Sequence, residues 1–173
     1  PVQILWVNMV TSVTLSLALA FEKAEPDIMK RPPRKEYEPL LSGYFIWRIF
    51  FVSVLIGGLT LILSVMMLDS GEDHATVRTV VLQTIVFTQA FHLFNARSIR
   101  NAAWSGDFKG NKAVFVVIGL MLVLQLAVPY LPFMNTLFVT VTLSVGNWIW
   151  SILLGSLVFL DVAGETVAMG KRD

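Results

Sequence analysis

The chain contains no cysteine, which excludes disulfides and any thiolate metal site. It has two histidines, too few for a His-rich site. The net charge is +1, so total charge says little about partners and the placement of the charges says more. The chain opens at Pro1 inside an apolar run, with neither a methionine nor a signal-peptide layout, an opening expected of a piece of a longer protein. What is abundant is apolar. A hydrophobic content of 55% and a mean hydropathy of +0.71 point to an integral membrane protein rather than a soluble domain.

The first run, PVQILWVNMVTSVTLSLALAF, carries no charge, and about 20 such residues are enough to cross a hydrocarbon core. It is not uniformly apolar. Asn8, Thr11, Ser12 and Ser16 recur at spacings of three and four, so a helix gathers them on one face. Lipid cannot hydrogen-bond such a face, which must point at other helices or at a water-filled path. Two readings stand on these residues: amide and hydroxyls that bond helices together, or oxygens offered to a passing ion.

Further along, residues 22–43 hold Lys23, Lys30, Arg31, Arg34 and Lys35 among interleaved acids. Pro26, Pro32, Pro33 and Pro39 favour extended, polyproline-like backbone there. A second apolar run covers 44–68, with Trp47 and Arg48 as interfacial anchors and Ser53, Gly57 and Gly58 as a small-residue packing patch. A short turn, DSGEDHAT, leads into a third run over 77–96. There Thr84, Thr88, His92 and Asn95 form one helical stripe, with Gln83 and Gln89 outside it. His74 reads as a loop histidine, and His92 and Gln89 are candidates for bonds between helices.

Residues 97–112 are again basic. The fourth run, 113–129, has Gln125 as its one polar side chain of note and is expected to face lipid. Residues 130–147 are interrupted by Pro132, and FVTVTLSV alternates like a strand. A lone strand in a bilayer leaves its backbone unpaired, so an interfacial loop or helix start is expected instead. The last run covers 148–163, with Asn147, Ser151 and Gly155 four apart as a packing stripe. The reading is therefore an all-α membrane protein, a bundle of five transmembrane helices over about 2–21, 44–68, 77–96, 113–129 and 148–163. Nearly all Lys and Arg lie in the 22–43 and 97–112 loops and the tail. The positive-inside rule makes those loops and the C-terminus cytoplasmic.

Leu5-Trp6-Val7-Asn8 with Thr11, followed by Pro26-Asp27-Ile28-Met29 and Arg31-Pro32-Pro33-Arg34, resembles the sixth membrane helix of P-type cation pumps and the cytoplasmic loop after it. The calcium-pump and sodium-pump branch is the most similar. The resemblance covers the whole chain but only the C-terminal half of such a pump's membrane domain. It implies an ATP-driven cation pump in the plasma (inner) membrane, in which these five helices supply one wall of the ion site and a scaffold. The implied partners are the transported cation, the lipid bilayer, and the pump's N-terminal helices and cytoplasmic domains; nucleic acid is not among them. ATP and Mg would belong to those other domains. The family's phosphorylation motif, Asp-Lys-Thr-Gly-Thr, does not occur here, so the chain alone is expected to bind no ATP and catalyse nothing.

By this resemblance Asn8, Thr11, Ser12 and Gln89 become ion-site candidates. In calcium pumps a carboxylate lies six residues before an Asn near the end of the eighth helix, and counting back from Asn95 reaches Gln89. The family also places an Asp after the sixth-helix Thr, followed by a Gly and a Pro that help to unwind the helix. Here those positions hold Ser12, Val13 and Leu15. Ca²⁺ wants about six to eight oxygens, several of them charged. Either carboxylates come from elsewhere in the pump or the ion carries less charge. The rival reading is a stand-alone helical membrane scaffold or facilitator, which leaves the Pro-Asp-Ile-Met strip unexplained.

Overall fold

A computed structural model describes residues 2–21, 43–96 and 112–169. The proline-rich strip, most of both basic loops and the last four residues lie outside them. The described residues form six helices in order: α1 (Val2–Ala20), α2 (Gly43–Asp69), α3 (His74–Ala96), α4 (Lys112–Tyr130), α5 (Pro132–Phe138) and α6 (Val145–Met169). There is no strand among the described residues, so the alternating FVTVTLSV segment becomes the end of α5 and an irregular connection.

Each expected span has a helix, yet their membrane-crossing character differs. Among the described residues α2 is long and apolar enough to cross a bilayer unaided, and α4 with α5 is a second candidate if that bent pair is one path. In α1 and α6 the apolar stretches among the described residues are Val2–Thr14 and Val145–Val158. The remaining long helix, α3, is the most polar, and it is also the most enclosed. It touches α1, α2, α4 and α6, and Thr79, Gln83, Thr84 and Thr88 on it are buried. Surrounded by other helices, it does not need the hydrophobicity that lipid would demand.

The turn between α2 and α3 is built from local signals. Gly71 takes φ +85°, the left-handed geometry that closes a helix at little cost only in glycine. The N–H groups of Gly71 and Glu72 reach the Leu68 and Met67 carbonyls at 3.0 and 3.1 Å. Asp73 then caps α3, its carboxylate accepting from the N–H of Ala75 and Thr76 and from the Thr76 hydroxyl. Such a cap satisfies donors that a helix start leaves open.

Packing of α6 on α3 follows the stripe expected at 147, 151 and 155. Ser151 is fully buried, and its hydroxyl lies 3.5 Å from the Val80 carbonyl. A Cβ on Gly155 would stand 3.1 Å from both the Phe87 Cβ and the Thr88 N, so only glycine allows this approach without displacement. Gly57 and Gly58 behave differently. An added Cβ at either meets nothing within 4 Å, and the close approach expected there has no counterpart among the described residues.

The fourth helix departs from expectation. One of its faces is exposed, as a lipid-facing helix requires, with Val116, Leu120 and Val123 outward. The other carries Met121, Gln125 and Val128 into a core shared with Val7, Val10, Leu82 and Val86. The reason lies in its prolines. Pro129 sits inside α4 and has no N–H to give the Gln125 carbonyl; Pro132 likewise has none for Val128. Side chains take over both acceptors: Gln83 Nε2 donates to Gln125 O at 3.3 Å and Thr140 Oγ1 to Val128 O at 2.9 Å. Beyond Leu131 the chain turns by 82° into α5.

Candidate functional site

A groove of about 540 Å³ runs between α1, α2 and α3. Gln3 and Asn8 line it from α1, Ser64 from α2, and His74, Arg78 and Gln89 from α3. His74 and Gln89 are separated by four helical turns, so the groove follows α3 for about 22 Å. Apolar residues of all three helices, Ile4, Leu68 and Ile85 among them, fill the wall between these polar groups.

Asn8 and Gln89 therefore share one space although 81 positions separate them in the chain (89 − 8). Each arrives there through helical spacing. Asn8 lies one turn from Ile4, and Gln89 one turn from Ile85, all four on groove-facing sides. Asn8 is exposed to the groove, whereas Gln89 is half-buried. The Gln89 Oε1 atom is buried and has no hydrogen-bond partner among the described residues. An orphaned buried carbonyl oxygen costs about 1–3 kcal/mol unless something supplies a proton or a positive charge.

The other two candidates are placed elsewhere. Thr11 is buried, and its hydroxyl donates to the Val7 carbonyl at 2.5 Å, so its oxygen is engaged within its own helix. Ser12 is exposed one turn beyond Asn8 and does not line the groove. The stripe on α3 divides in the same way. Thr84 and Thr88 face protein, but their hydroxyls go to the Val80 and Thr84 carbonyls, both at 2.8 Å. Among the described residues they do not bond other helices. This back-bonding satisfies a hydroxyl where no water is available. His92 is half-buried, with an unpartnered buried Nδ1; the side chain of Asn95 lies outside the described residues.

Sequence reasoning missed the polar pair that does join helices. Gln83 and Gln125 are almost wholly buried, at 0% and 1% exposure. Besides the bond from Gln83, the pair receives the indole N–H of Trp6, 3.4 Å from Gln125 Oε1. The available signal was the proline four residues after Gln125, which frees a carbonyl. Nothing in one sequence says which side chain will answer it. No group of three or more acids, histidines or cysteines suited to a metal ion occurs among the described residues. The groove offers amide and hydroxyl oxygens.

Residues 1–167 match the family model described as "Cation transporting ATPase, C-terminus". A probable cation-transporting ATPase F of Mycobacterium tuberculosis is 36% identical over 167 residues, covering 96% of this chain and 18% of that protein. A calcium-transporting ATPase of Bacillus subtilis is 30% identical over 172 residues, 99% of this chain and 19% of that protein. A cation-transporting ATPase of Synechocystis is 31% identical over 153 residues, 84% of this chain and 17% of that protein. The chain belongs to the family of cation-transporting ATPase C-terminal regions, the P-type pumps that the Trp-Val-Asn and Arg-Pro-Pro-Arg motifs resemble. It spans less than a fifth of the length of these relatives.

Proposed function

We propose that this chain is the sixth-to-tenth-helix part of an ATP-driven cation pump and forms one wall of its intramembrane ion path. In this reading α1, α2, α3, α4 and α6 span the plasma (inner) membrane. The 22–43 and 97–112 loops and the C-terminus are cytoplasmic, and α5 lies on the opposite side. ATP and Mg act on the pump's cytoplasmic domains, and this chain contributes oxygens and scaffold. Asn8 and Gln89 serve the cation, with Thr11 and Ser12 as further donors should α1 unwind locally.

The observation that carries the proposal is the shared groove, lined by both Asn8 and Gln89, the latter with a buried Oε1 that has no hydrogen-bond partner among the described residues. A neutral amide oxygen without a donor is a suitable ligand for a hard cation. The remaining charge compensation comes from helices outside this chain, or the ion is monovalent. The test uses the intact pump. Asn8→Ala and Gln89→Ala should each weaken cation-dependent phosphorylation about ten- to a hundredfold, the equivalent of about 1–3 kcal/mol. Phosphorylation from inorganic phosphate should persist. Unchanged cation dependence in both variants, at normal expression, would return these residues to helix packing alone.

A further inference from the structure

The segment joining α4 and α6 is apolar on its outside, which a loop in water would not tolerate. Between Lys112 and Asp161 no residue carries a formal charge. Within that stretch Phe133 is 72% exposed, Val139 58% and Val145 76%, with Leu131 and Leu137 also outward. Along the chain it follows on from the exposed flank of α4 through the outward Leu126, Tyr130 and Leu131.

The arrangement has the dimensions of a membrane boundary. Helix α4 is 19 residues long, about 28 Å of rise, against a hydrocarbon core of about 30 Å. The chain bends by 82° immediately after it, so α5 lies across the end of the span rather than continuing it. Tyr130 and Trp148 stack at the bend with 6.3 Å between ring centroids, and the indole N–H donates to the Tyr130 hydroxyl at 2.8 Å. Paired amphipathic rings of this type settle at the headgroup level.

Helix α5 is held from one side only. Phe138 is buried against Trp6, ring centroids 4.9 Å apart, and Gln3 Nε2 donates to the Phe138 carbonyl at 2.6 Å. Met134 packs on the same core. Phe133 and Leu137, four apart on the adjoining stripe about 100° round the helix, are exposed.

We infer that α5 is an interfacial foot that binds lipid, with Phe133 and Leu137 inserted at the boundary between acyl chains and headgroups. The absence of charge and the continuity with the flank of α4 select lipid over an aqueous or charged protein partner. The inference rests on α4 spanning the membrane, and the experiment separates the two.

The chain has no cysteine of its own. Single nitroxide labels are placed in the intact pump, reconstituted in phosphatidylcholine vesicles, at Phe133→Cys, Leu137→Cys, Val123→Cys on the outer face of α4 and Glu72→Cys in the exposed α2–α3 turn. Identically treated unsubstituted pump gives the background. Relaxation by oxygen and by a water-soluble nickel chelate reports depth. The oxygen-to-nickel ratio at Phe133 and Leu137 should be severalfold above that at Glu72 and below that at Val123. A ratio equal to that at Glu72 would place α5 in water and overturn the foot. Shielding from both reagents would mean a protein cover, a second copy or another subunit, and would also overturn it. A water-like ratio at Val123 would instead overturn the spanning of α4.

Discussion

Gln83 on α3 donates to the backbone carbonyl of Gln125 on α4, the acceptor that Pro129 leaves without its helical donor. The bond converts a defect in one helix into a contact between two. It gives the Gln125 carbonyl a donor at the centre of an apolar bundle, where an unsatisfied carbonyl would cost about 1–3 kcal/mol, and it engages the amide nitrogen of a side chain that is 0% exposed, whose Oε1 has no partner among the described residues. Gln83→Leu should destabilise the chain in detergent by about 0.5–2 kcal/mol. In a Pro129→Ala background the helical N–H returns, and the same substitution should cost close to nothing. A double-mutant cycle on unfolding measures the difference; equal costs in both backgrounds would show that the proline is irrelevant to Gln83.

Two glycines separate tight packing from open surface. Gly155→Ala puts a methyl 3.1 Å from the Phe87–Thr88 backbone, and overpacking of this kind costs about 1–3 kcal/mol. Gly57→Ala meets nothing and should be neutral or gain up to about 1 kcal/mol from helix propensity in the isolated chain. In the intact pump, Gly57→Leu should lower assembly and expression if another helix packs there. Thermal unfolding of the chain and yield of the pump check the two halves separately.

Asp73 links pH to the start of α3. The hydrogen bond from the Thr76 hydroxyl, joined by backbone N–H groups, holds its carboxyl below the ordinary aspartate value despite slight desolvation. A depressed carboxyl stabilises the fold above its unfolded pKa, and that contribution is lost as pH falls through the lower folded value. The α2–α3 turn should therefore stay capped at neutral pH and loosen only under acid conditions below the usual aspartate range. Asp73→Ala should lower the unfolding midpoint at pH 7, and Asp73→Asn, itself a good cap, should retain most of it while removing the acid step. Amide exchange at Ala75 and Thr76 across pH is the direct readout.

The resemblance to calcium and sodium pumps implies an aspartate at the position that Ser12 holds, and Ser12 is exposed one turn beyond Asn8. Ser12→Asp in the intact pump should favour divalent over monovalent cations, because an added negative charge strengthens attraction in proportion to ion charge. Competition between the two cation classes in phosphorylation assays measures it. Indifference of the preference would remove Ser12 from the ion path.

Much was legible in the sequence because hydropathy and helical spacing act locally. The places of the helices, the exclusion of a strand at 138–145, and the packing of Ser151 and Gly155 all follow from period and from the cost of unpaired backbone in lipid. The motifs around Asn8 and Arg31 led to the same family that comparison shows. Other features were decided only when the helices met. Periodicity marks Thr11, Thr84 and Thr88 as facing protein, but not that each hydroxyl turns back to its own helix. Asn8 and Gln89 lie 81 positions apart (89 − 8) in the sequence, and only packing sets them in one groove. Of the glycines, spacing picks out Gly57 as readily as Gly155, and the neighbouring backbone makes only the second indispensable. The physical reason is common to these cases: a sequence shows which groups need a partner, whereas the partner is chosen by which carbonyl, helix or open space the tertiary fold brings within about 3 Å.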